Sequence, residues 1–169
     1  MSIGGPRAAT GARSAYPFTE ASALDVLQAE IGRNFESDVC ERMGQDIGFR
    51  FVTRFANGPA PFCAPLDILK FFCKDVWTEL YGKKIDRLQT NHKGTFMCTD
   101  TAFLPLARLR RASAADIARF LAIHKGLIKG ALVNLGVNVS EVSTQLLGAV
   151  EDTATNNNPL GCCFTIRTT

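Results

Sequence analysis

The chain has 169 residues, enough for one domain around a single core, and its 46% hydrophobic and 21% charged content is ordinary for a globular protein. A net charge of +3 is too small for a surface that tracks phosphates, which argues against nucleic acid as a partner. Six cysteines stand at 40, 63, 73, 98, 162 and 163 without the close C-x-x-C pairs of a zinc site, and no secretory signal precedes them. They read as reduced, mostly buried thiols of a cytosolic protein, with no metal and no cofactor expected. No run of eighteen uncharged apolar residues is present, so no membrane span is expected.

Residues 1–18, rich in Gly, Ala, Arg and Ser, read as a flexible tail ahead of one domain over 19–169. A first helix is expected behind Ser22 and Asp25, spaced like a capping box, with Leu24, Leu27, Ile31 and Phe35 on one stripe. A second helix carries Cys40, Met43, Gly44, Ile47, Gly48, Phe51 and Phe55 on one face, against Glu41, Arg42, Gln45, Asp46 and Thr53 on the other. Two glycines on an apolar face each cost about 1 kcal/mol in a helix, so Gly44-x-x-x-Gly48 implies a close neighbour. Phe49 projects from the polar side, where a free monomer has little use for it.

Asn57-Gly58-Pro59-Ala60-Pro61 ends that helix, and Pro65 suits the first position of the third, PLDILKFFCKDVWTELYG. Leu66, Leu69, Phe72, Cys73, Val76, Trp77 and Leu80 form its main apolar arc, while Ile68 and Phe71 fall outside the centre. A helix apolar over more than half its circumference is expected to touch both the core and a partner.

After Gly82 the period shortens. Lys84–Thr90 and Thr95–Thr99 are strand-like, and Asn91-His92-Lys93-Gly94 between them reads as a tight turn in which Asn and Gly take the unusual backbone angles. His92 is thereby placed at a hairpin tip, facing water. Arg108, Arg110 and Arg111 make a basic loop, read as solvated, with anionic lipid or an acidic partner as the alternative. Ser113 and Asp116 frame the start of the last helix, whose stripe Ile117, Phe120, Leu121, His124, Leu127, Ile128, Ala131 and Leu135 faces the core and which Gly136 closes. Gly126-x-x-x-Gly130 again asks for tight packing, and His124 reads as a hydrogen-bonded core histidine. Val137–Ser143 is expected as a strand, Glu151–Pro159 as a loose polar segment, and Cys162–Arg167 as a closing strand that alternates faces. The order predicts an α+β domain with helices packed on one side of a small antiparallel sheet.

No catalytic constellation is legible. The two histidines lie apart, beside no nucleophile elbow, and neither G-x-G-x-x-G nor a Walker-type loop occurs. Surfaces are more prominent than chemistry.

Three stretches together resemble one family. LDILKFFCKDVWTELYGKKIDRLQTNHKGTF looks like the central signature of the TRAPP small subunits (the Bet-three-like family) in their subunit-six branch, MGQDIGFRFVTRF resembles the second helix of that branch, and GLIKGALVNLG its fourth. The resemblance implies the TRAPP small-subunit fold and a non-catalytic structural role in a vesicle-tethering complex. The chain would pair as a heterodimer with the Bet-three subunit, or with itself when isolated, and would meet a Rab/Ypt GTPase only through the assembled complex. It also implies a cytoplasmic location peripheral to Golgi and ER–Golgi transport membranes. Acylation, known in the family on a cysteine of the paralogue, would fall near Cys63. The alternative is a module of the same fold that encloses an acyl chain or haem. Candidate interface residues are Leu24, Leu27, Ile31, Met43, Ile47, Phe51 and Phe71, the apolar surface beyond what one small core absorbs.

Overall fold

A computed structural model describes residues 34–54, 64–109, 112–148 and 160–169. The expected first helix with Leu24, Leu27 and Ile31, the tail, Phe55, the Asn57–Pro61 break, Cys63, Arg110, Arg111 and the whole Glu151–Pro159 segment lie outside the described residues.

Helix α1 spans Ser37–Thr53. Helix α2, Pro65–Phe71, starts with Pro65 in its first turn, where a missing N–H leaves no helical hydrogen bond unmade. It runs through a π-helical turn, Phe72–Val76, into α3, Trp77–Tyr81, which stops at Gly82 in the left-handed conformation. Helix α4, Ala114–Asn134, opens where the Ser113 hydroxyl accepts the Asp116 N–H at 3.1 Å, as the capping pattern predicts. Gly136 follows it at φ 91°.

Strands β1 (Arg87–Thr90), β2 (Thr95–Asp100), β3 (Val139–Leu147) and β4 (Gly161–Thr168) form one antiparallel sheet in the order β1-β2-β4-β3. A bulge interrupts the β3–β4 register between Val139 and Glu141. The expected α+β architecture is what the chain adopts. The sheet turns Phe96, Cys98, Cys162, Phe164 and Ile166 toward the helices, while Met97 on the opposite face is 38% exposed. Between these layers Trp77, Phe103, Phe164, Tyr81, Phe120 and His124 form one aromatic core, with Trp77 5.4 Å from Phe164 and 5.7 Å from Phe103 by ring centroid.

Three details depart from the sequence reading. Ile68, taken as lying off the core face, is only 6% exposed and packs in the core. In β4 the buried run Gly161–Phe164 does not alternate: Cys163, on the face away from the helices, is only 4% exposed between Thr99 and Gln145 of the neighbouring strands. At the hairpin tip the left-handed residues are His92 (φ 57°) and Gly94 (φ 82°), not Asn91. The Asn91 side-chain oxygen instead accepts the N–H groups of Lys93 (2.8 Å) and Thr95 (3.0 Å), closing the loop from inside.

Candidate functional site

Helices α1 and α4 meet through two glycine pairs that face each other. A β-carbon on Gly44 would fall 2.0 Å from the Ile123 carbonyl oxygen, and one on Gly126 1.9 Å from that of Glu41. Gly48 and Gly130 stand likewise against Leu127 and Gln45. Backbone therefore rests on backbone, and the seam has no room for side chains. Cys40 and Val52 are buried beside it, and Lys125 reaches Glu41 across it at 3.1 Å. At the far end Asn134 donates to the Phe49 carbonyl (2.8 Å) and to the Thr53 hydroxyl (3.0 Å).

This seam fixes how α1 presents the rest of its surface. Positions 40, 44 and 48 point inward, so the neighbouring i, i+4, i+8 row of Met43, Ile47 and Phe51 lies along a flank. Ile47 is 48% exposed, Met43 is half-buried, and Phe51 is half-buried where it packs against the core. Of the seven candidate interface residues, three fall outside the described residues. Met43, Ile47 and Phe51 come together on this flank, and Phe71 is half-buried against the core on α2. Val52, which the sequence reading did not place on the apolar face, is fully buried, while Ile47 on that face is not. Phe49 is 48% exposed on another side of α1, as its polar neighbours suggested, and Phe35, placed on the first stripe, is half-exposed. The exposed Leu104 and Val133 were not singled out; each sits in an apolar run that hides which member faces water.

The chemistry-bearing side chains are held by packing. Fully buried His124 donates from Nδ1 to the Phe120 carbonyl at 3.0 Å, which leaves Nε2 without a hydrogen-bond partner in a ring that packs against Tyr81, Phe103 and Phe120. Burial pulls its pKa down to about 4, partly offset by that hydrogen bond, so the ring is neutral. His92 stands exposed at the hairpin tip, as expected. Buried Asp100 accepts from Trp77 Nε1 (3.0 Å), Lys83 Nζ (2.6 Å) and the Ala102 N–H (3.1 Å). Burial alone would lower the Lys83 pKa, but Asp100 and Asp86 outweigh it and raise it. Asp86 is held at about 2: its slight burial is overcome by the backbone and hydroxyl of Thr101 and by Lys83. Cys40, Cys73, Cys98, Cys162 and Cys163 are free and buried. Among the described residues no group of His, Cys, Asp and Glu is disposed to hold a metal, and no helix is long and apolar enough to cross a membrane.

The core histidine and the Lys83–Asp100 pair are thus held by packing, while a half-exposed apolar row runs along α1. The chain belongs to the Transport protein particle (TRAPP) component family, whose pattern it matches over residues 24–169. Within that family it is similar to the subunit-six branch. It is 39% identical over 118 residues to Trafficking protein particle complex subunit 6b of Danio rerio, covering 66% of this chain and 74% of the relative. It is 38% identical over 109 residues to subunit 6B of Homo sapiens (62% and 69%) and 38% over 110 residues to the human subunit 6A (63% and 68%). Its fold resembles that of trafficking protein particle complex subunit 3 from Naegleria fowleri, solved covalently bound to palmitic acid. That likeness has a TM-score of 0.59 at 11% identity, covering 89% of this chain and 96% of that one.

Proposed function

We propose that the chain is a non-catalytic structural subunit of the TRAPP vesicle-tethering complex, docked to the Bet-three subunit through the Met43–Ile47–Phe51 flank of α1. The observation that carries this reading is the 48% exposure of Ile47 beside a glycine seam that leaves α1 no freedom to turn that side chain inward. Covering the remaining half of such a side chain is worth about 1 kcal/mol. Together with the sequence-expected contacts Leu24, Leu27, Ile31 and Phe71, a row of them suits an obligate-type interface on the order of 2,000 Å². Nucleotide exchange on a Rab-type GTPase, traffic between endoplasmic reticulum and Golgi, and residence at the cytoplasmic side of those membranes follow from membership of the assembled complex, not from chemistry in this chain.

The core favours this reading over a ligand-enclosing module. Trp77, Phe72, Phe103 and Phe164 are fully buried and joined by edge-on and tilted ring contacts, and fully buried Phe120 packs on His124, so bulky side chains occupy the interior between sheet and helices. Co-expression of the full chain with the Bet-three subunit, followed by gel filtration, tests the proposal. Co-elution as a heterodimer is expected; a chain that elutes as a monomer in the presence of that subunit contradicts it.

A further inference from the structure

The π-helical turn between α2 and α3 has a chemical consequence. It places Cys73, whose carbonyl accepts the Ile85 N–H at 2.9 Å, against strand β2. There the Cys73 sulfur lies 3.5 Å from that of Cys98. The two residues are 25 positions apart, and both are buried, at 6% and 1% exposure. A disulfide needs sulfurs about 2.05 Å apart, so roughly 1.5 Å of approach separates the present contact from a bond. The other described thiols are differently engaged: Cys40 reaches the Phe35 carbonyl, Cys163 accepts from the Thr99 hydroxyl, and Cys162 and Cys163 are sequence neighbours.

We propose that Cys73 and Cys98 are a two-electron oxidation site, closed to an internal disulfide by a peroxide. Cys73, the more exposed of the two, attacks one peroxide oxygen as its thiolate, breaking the O–O bond and releasing hydroxide to leave a sulfenic acid. The Cys98 sulfur then attacks the Cys73 sulfur, forming the S–S bond and expelling the sulfenic oxygen, which leaves as water with the thiol proton. Two thiols and one hydrogen peroxide give one disulfide and two waters: each sulfur is oxidised by one electron and the peroxide is reduced by two. Hydrogen bonding to Cys73 and burial hold the Cys98 thiol well above its ordinary pKa, so the couple is slow and needs sustained oxidant. The product would bolt the π-helical turn to the hairpin strand β2.

The test uses the full folded chain, with any subunit that co-purifies left in place, exposed to hydrogen peroxide and then alkylated. Before alkylation the intact mass should fall by about 2 Da, and after it the chain should carry two fewer alkyl groups than an untreated control. Non-reducing peptide maps should join the Cys73 and Cys98 peptides, and a dithiol should restore both masses. Cys98→Ser should remove the linked peptide and leave Cys73 as a sulfenic acid trappable with dimedone; should that variant not fold, the wild-type map decides alone. Recovery of the Cys73 and Cys98 peptides unlinked, while the chain is oxidised elsewhere or not at all, overturns the proposal. So does a linkage that forms only in denaturant.

Discussion

A β-carbon on Gly48 would fall 2.0 Å from the carbonyl oxygen of Leu127, and Gly126 repeats the relationship from the other helix against Glu41. Alanine is normally the better helix former, by about 1 kcal/mol. Here that gain is reversed, because backbone cannot move aside as the end of a side chain can. Gly48→Ala should lower stability by about 1–3 kcal/mol in urea melts, with α1 and α4 forced apart.

Burial of His124 ties stability to pH. Its folded pKa of about 4 lies below the ordinary 6.5, so the unfolded chain binds a proton that the folded one refuses. The contribution is fully present above pH 6.5, is lost as pH falls from there toward 4, and stays lost below. The whole span is worth roughly 3 kcal/mol. Stability measured against pH for the wild type and for His124→Gln should show that loss in the wild type and a flatter profile in the variant.

Asp100 ties Trp77, Lys83 and the turn at Ala102 together from a fully buried position. Asp100→Ala would strand the indole N–H in the core and remove the lysine's buried partner. A loss near the lower end of about 3–5 kcal/mol is expected, because Lys83 keeps Asp86 at 3.0 Å and some access to water. Asp100→Asn keeps one acceptor oxygen, enough for Ala102 and Lys83 or for Trp77 but not for both sides, because its NH2 group faces the remaining donor; it should recover only part of the loss seen with alanine.

The hairpin tip separates a structural histidine from a functional one. His92 occupies φ 57°, which asparagine tolerates and β-branched residues do not. His92→Asn should leave both stability and subunit pairing unchanged, whereas His92→Val should cost about 1–2 kcal/mol in thermal melts.

Much of this was legible in the sequence because it rests on local rules. Ser113 and Asp116 announced the start of α4, Gly136 its end, and the two G-x-x-x-G spacings a close helix pair. The sequence did not say that the two pairs face each other, since a glycine carries no hydropathy to point it. For the same reason the sequence did not say which part of the apolar face of α1 is buried: that side runs through Cys40, Gly44, Gly48 and Val52. Sheet order was equally silent: nothing local distinguishes an edge strand from β4, which lies between β2 and β3. The π turn and the Cys73–Cys98 contact depend on one extra residue in a helix, which periodicity absorbs without trace.

Gel filtration of Ile47→Asp with the Bet-three subunit, paired with a melt of the variant alone, addresses the central claim most directly. A surface substitution at a half-exposed position should shift the isolated chain's stability by no more than about 0.5 kcal/mol, while co-elution is lost. A variant that still co-elutes as the wild type does would contradict the docking of this flank of α1.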